Sequence, residues 1–424
     1  MITLPTAWLR KGTVAALAVA GLWALPAPGQ SEERRPAGRA PEEAPRNLQV
    51  AWKFKRFGAS FLSSPAWKAG RLYAASCETG AGGTSGSIFC LDGATGKLIW
   101  EAGKLEGRPL KGFFSSPALT PDGRSLLIGE GLHLDAGSHL ICLEALTGQL
   151  RWQIAAPKNH FESSPAIAGD SVVIGAGAIE RADQRPAEDP GSVLWVRISD
   201  GRLLWQRAVI DPESSPALRA DGKAAFFGSG VGGNAVVAFD AAGGLLWRTP
   251  TRYPATGDIS LHGNLAILGC GRGDFTNASP RPAGAVQALE QSSGRLRWKN
   301  ELGDAVLGHL AIRDDTVFCP VRDGTVAALD AGTGATLWRR RLTKAPVLAG
   351  TACRGGLLYA VSSDGLLAIL DAKSGEVLEK HALNDDLAPF RQNLCISTPL
   401  VAGGRVFVGS ESGGLRCYVG GASR

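Results

Sequence analysis

His160, Glu162, Glu213, Asp258, His309 and Arg391 are acids, bases and a cation placed beside a recurring Ser-Ser-Pro element or its counterpart, and Phe61, Phe113, Phe114 and Phe161 are aromatic residues in the same places. Aromatic and charged side chains around a concave opening are recognition groups for a partner or ligand. The competing reading is that the serines cap turns and the phenylalanines plug gaps between packed units. Signs of catalysis are sparse. There is no Gly-x-Ser-x-Gly elbow. The six histidines are dispersed; the nearest pair, His133 and His139, lacks metal-ligand spacing and reads as solvated loop residues. No carboxylate and amide cluster suggests a calcium cage. The expectation is therefore no catalytic residue and no metal. Arg272-Gly273-Asp274 reads as a turn, and a net charge of +6 without a basic stripe argues against a nucleic-acid partner.

The elements that carry these residues repeat. Cys90-Leu-Asp-Gly-Ala-Thr-Gly-Lys-Leu-Ile-Trp100 returns around Trp152, Trp205, Trp247, Trp298 and Trp338, and a seventh copy has Glu379 in the Trp place. Each copy reads as a hairpin: an Asp or Glu caps its own turn, a Gly four residues before the Trp supplies positive φ, and the next strand bears the Trp. Before the hairpins stand Ser63-Ser64-Pro65, Ser115-Ser116-Pro117, Ser163-Ser164-Pro165, Ser214-Ser215-Pro216 and Ser397-Thr398-Pro399. The corresponding places in other units hold Gly257-Asp258, Gly308-His309 and Gly350-Thr351. Each element heads a strand, where Pro is tolerated. The 56 glycines, scattered without a period of three, fit many tight turns.

Each unit is thus a four-stranded blade (A to D), with eight A elements. The last unit ends on a C strand at Gly414 to Tyr418, so the strand carrying Trp52 must supply its D strand and close the ring. The fold expected is all-β: an eight-bladed propeller of four-stranded antiparallel blades over residues 47–420. Residues 1–29 read as a signal peptide, with Arg10 and Lys11 before an apolar run, and 30–46 as a disordered leader. Export follows, to the periplasm or outside the cell. No Cys follows the apolar run, so no lipid anchor is expected. Eight cysteines leave disulfides open, yet Cys90, Cys142 and Cys417 share a repeat position held elsewhere by Ala288 and Ala328, which suits a small buried residue.

The Asp-x-x-Thr-Gly-x-x-x-Trp hairpin resembles the pyrroloquinoline-quinone (PQQ)-like repeat of quinoprotein dehydrogenases and of the B subunit of the outer-membrane β-barrel assembly machinery. There is no Trp-Asp dipeptide of the WD type. The resemblance implies eight radial blades, with Trp52, Trp100, Trp152, Trp205, Trp247, Trp298 and Trp338 packed structurally between them. It implies either a PQQ-dependent dehydrogenase or a non-catalytic envelope scaffold. The chain lacks the vicinal Cys-Cys pair common beside the cofactor in the enzymes, so PQQ is not expected. The scaffold reading implies an envelope-protein partner in cell-envelope or outer-membrane assembly; a small ligand or glycan at the channel is also open. B–C loops are long in the first five blades and short in the last three, building up one face.

Overall fold

A computed structural model describes residues 44–80, 83–133, 135–178, 190–384 and 394–421. Among them there is no helix, and eight antiparallel sheets form the blades of a propeller. Blade 1 runs Ala66–Lys68, Arg71–Ala75, Ile88–Asp92 and Leu98–Ala102. Blade 8 has Leu400–Ala402, Arg405–Ser410 and Gly414–Gly420 as strands A to C, and the N-terminal strand Leu48–Phe54 pairs antiparallel with its C strand. The ring is closed as the sequence reading expected. The signal-peptide segment lies outside the described residues. Residues 44–46, expected within the leader, pack on blade 7: Ala44 is buried, and Tyr359 Oη donates to the Pro45 carbonyl at 2.7 Å.

The C–D hairpin follows from its residues. Asp92 Oδ1 accepts from the Thr95 amide at 2.8 Å, and Gly96, at φ +72°, donates to the Asp92 carbonyl at 2.8 Å. A bulge follows: Cys90 faces Trp100 and Leu91 faces Leu98, with Ile99 left over. Bulges sharpen twist, which suits a radial blade.

Each Trp couples its blade to the next. Trp52, Trp100, Trp152, Trp205, Trp247, Trp298 and Trp338 donate Nε1 to a turn carbonyl of the following blade at 2.7–3.1 Å. Their rings lie where a Cβ on the following turn's glycine would fall. Glu379, in the eighth place, accepts instead from the Asn47 and Leu48 amides at 2.7 and 3.2 Å. Cys90, Cys142 and Cys417 sit opposite a Trp, as Ala288 and Ala328 do. All eight cysteines are free, and seven are buried.

Candidate functional site

The D–A and B–C connections share one face. B–C connections span 76–87, 130–137, 179–191, 230–234 and 272–283 in blades 1 to 5, against 322–324, 362–365 and 411–413 in blades 6 to 8. On this face the second hydroxyl of the Ser-Ser-Pro element is committed to the scaffold. The amides of Gly350, Thr398, Ser64, Ser116 and Ser164 donate to Oγ1 of Thr398 and Oγ of Ser64, Ser116, Ser164 and Ser215, at 2.9–3.3 Å. Asp258 ends the series by accepting from the Ser215 amide at 2.9 Å. Several first serines turn inward; Ser115, Ser163 and Ser397 each accept from an amide of their own blade's strand B.

Because the segment ahead of each element is extended, neighbouring side chains point opposite ways. Two places before the element, Phe61, Phe113 and Phe161 are 0–1 % exposed among the blade cores. Of the two roles weighed for these phenylalanines, the structure supports plugging gaps; as placed they cannot touch a ligand. One place before it, the side chains turn to the mouth of the central channel. Leu62, Phe114, Leu307, Leu348 and Ile396 meet there in one apolar cluster with Phe275 of the blade 5 B–C loop. Phe114 of blade 2 and Phe275 of blade 5 stack edge to face at 5.8 Å, a contact that blades so far apart in the ring can make only across the axis. The matching residues before blades 3 and 4 are Glu162 and Glu213. The mouth is therefore apolar on one side and acidic on the other.

Two histidines join the acidic side. His160 is fully buried, paired in register with Gly177 of blade 3, and its Nε2 lies 3.0 Å from Glu213 Oε1. Among the described residues His160 Nδ1 has no hydrogen-bond partner, and a buried polar atom left unpaired costs about 1–3 kcal/mol. His133, from the blade 2 B–C loop, lies 3.5 Å from Glu213 by Nδ1 and 3.4 Å from Glu162 by Nε2, and its ring meets that of His160 edge-on at 5.3 Å. Burial, then the nearby Glu213 carboxylate, pushes the Glu162 carboxyl up to about 7. The same two causes raise Asp211 to about 8. Burial alone would raise Glu213 too, but hydrogen bonds with His133 and His160 outweigh it and hold this carboxyl well below the usual range. One ionised carboxylate, backed by protonated or half-protonated neighbours, therefore faces two imidazoles.

His139 is not a solvated loop residue, contrary to the sequence reading, whereas His133 does stand in a loop with its side chain 42% exposed. His139 stands on strand C of blade 2 and holds buried Glu130 at 2.8 Å, which Arg108 also contacts at 2.6 Å. His133 pairs with His160 rather than His139; residues 27 apart in sequence gave no spacing signal. The structure thus brings together His160, Glu162 and Glu213 of the expected set and adds His133, which was absent from it. Phe114 joins the apolar side. Asp258 Oδ2 and the half-exposed His309 lie 4.0 Å apart on blades 5 and 6. Arg391 lies outside the described residues. Asp274 closes the Arg272-Gly273-Asp274 turn by accepting from the Thr276 amide at 2.7 Å. A groove of about 380 Å³ lies on the opposite face beside Asp122, Arg151 and Asp170, away from this cluster.

A family model described as outer membrane protein assembly factor BamB matches residues 11–269 and 232–422. The outer membrane protein assembly factor BamB of Yersinia pestis is 24% identical over 374 residues, covering 84% of this chain and 83% of that protein. A polyvinylalcohol dehydrogenase of Sphingopyxis sp. is 24% identical over 355 residues, 69% of this chain and 50% of its own. The crystal structure of BamB from Moraxella catarrhalis superposes with a TM-score of 0.64 at 17% identity, covering 89% of this chain and 99% of that one.

Proposed function

The chain belongs to the outer membrane protein assembly factor BamB family, and we propose that it is a non-catalytic propeller scaffold that docks an envelope protein during outer-membrane protein assembly. The observation that carries this reading is the one-sided relief of the ring. The D–A segments and the B–C loops share a face, the described loops of blades 1, 2 and 5 are the long ones, and apolar Phe57 and Val231 are exposed on that face. Exposed apolar groups on a rigid rim suit a protein partner. The export expected from the signal-peptide reading of residues 1–29 would bring the chain to such a partner.

The alternative is a PQQ-dependent dehydrogenase, the enzyme class that the repeat resembles; the Sphingopyxis relative is named a polyvinylalcohol dehydrogenase. A quinone at the channel would need polar partners. Leu62, Phe114, Phe275, Leu307, Leu348 and Ile396 give one side of that place apolar surface, and Glu162 and Glu213 on the other side oppose the carboxylates of PQQ, so the residues present fit the group poorly.

The test is complementation in cells lacking the chain, reading the level of folded outer-membrane proteins. Phe57→Ser with Val231→Ser should fail to restore it. Arg219→Ala with Lys223→Ala, in an A–B turn on the opposite face, should restore it. Equal complementation by both, or alcohol oxidation after loading with PQQ and Ca²⁺, would overturn the reading.

A further inference from the structure

Three donor atoms from separate stretches of chain converge on the acidic side of the mouth. His133 comes from the B–C loop of blade 2, His160 from the segment entering blade 3, and Glu213 from the segment entering blade 4. Their ligand atoms all lie within 4.8 Å of one another. Glu213 Oε1 is 3.0 Å from His160 Nε2 and 3.5 Å from His133 Nδ1. Neighbouring ligands of a tetrahedral ion with bonds of about 2.0–2.2 Å stand roughly 3.3–3.6 Å apart. The donors are thus close to that spacing before any ion arrives. Glu162 Oε1 lies beside this set, 3.9 Å from His160 Nε2 and 3.4 Å from His133 Nε2, the ring nitrogen turned away from Glu213.

Gly177 keeps the place open. A Cβ there would fall 2.5 Å from both His160 Nε2 and Glu213 Oε1. Its backbone is not left-handed, so conformation does not call for glycine at this position. The His133 side chain is 42% exposed while His160 is fully buried, giving the cluster a solvent entry and a rigid floor.

We propose that His133, His160 and Glu213 bind one Zn²⁺ ion, with the fourth position open to solvent. Two imidazole nitrogens beside carboxylates select zinc over calcium, which takes oxygen donors. His160 ligates through Nε2 and carries its proton on Nδ1; His133 ligates through Nδ1. The ion ties blades 2, 3 and 4 together at the rim, and this role stands apart from which partner the rim receives.

The full chain, stripped with a chelator, is titrated with Zn²⁺ by calorimetry and with Co²⁺ by visible absorption. One Zn²⁺ per chain is expected, with the intense visible bands of tetrahedral Co²⁺ and no Ca²⁺ binding at the same concentration. His133→Gln, on the exposed ring, should keep the metal-free melting temperature and weaken Zn²⁺ binding about tenfold or more. Glu213→Gln should weaken it similarly, whereas His309→Gln, outside the set, should not. Absence of stoichiometric Zn²⁺ binding, or an affinity in His133→Gln and Glu213→Gln equal to that of the parent chain, would overturn the assignment.

Discussion

The indole of Trp152 lies on Gly201 of the following blade: a Cβ built on Gly201 would fall 2.6 Å from Trp152 Cγ, while Trp152 Nε1 donates to the Ile198 carbonyl at 2.7 Å. Gly201 is needed twice, for φ +71° and for the missing side chain. Left-handed backbone costs a non-glycine residue about 1–2 kcal/mol, and overpacking about 1–3 kcal/mol more. Gly201→Ala should therefore lose about 2–5 kcal/mol in chemical denaturation. A loss under about 0.5 kcal/mol, the range of an unremarkable surface change, would show that the Trp–Gly contact does not couple the blades.

Ring closure makes a second prediction. Leu48–Phe54 supplies the outer strand of blade 8. A chain beginning at Ala44 should melt like the full chain. One beginning at Lys55 exposes a strand edge and should aggregate, read by light scattering. Equal melting of two monomeric truncations would contradict the closure.

Glu379 gives a pH dependence. Burial would raise its carboxyl, but the Asn47 and Leu48 amides and His381 lower it below the usual value. An acid with a lowered folded-state pKa adds stability above its unfolded value, about 4.3, and loses it as pH falls through the folded value. Glu379→Gln should be less stable than the parent at pH 7 by about 1 kcal/mol. The difference should shrink as the pH falls below about 4; a constant difference would contradict the assignment.

The cysteines give a fourth prediction. Burial pushes Cys77 up to about 12 and Cys142 up to about 11, and none is paired. Reductant should leave the melting temperature unchanged. A thiol reagent should react slowly with the native chain, starting at half-buried Cys353, and with all eight thiols after denaturation.

The fold was legible because its signals are local and repeated. Gly148 and Gly201 each stand four residues before a Trp, as their counterparts in other blades do, so the copies confirm one another. The site was legible only in part. Glu162 and Glu213 stand at one repeat position and were found with it. His133 was not, because its loop has no counterpart in other blades and meets His160 only when the ring closes. Phe61, Phe113 and Phe161 were placed with the mouth because they adjoin the same element. Alternation along an extended segment, which separates Phe113 from Phe114, is what divides plug from rim.

The central claim is that the partner sits on the loop-rich face. A photo-crosslinking residue placed at Val231, exposed in the blade 4 B–C turn, is compared in intact cells with one at Asp221, in the A–B turn on the opposite face. The expected result is an adduct with an outer-membrane assembly protein from Val231 and none from Asp221. An adduct from Asp221 alone would put the docking surface on the other face and contradict the account.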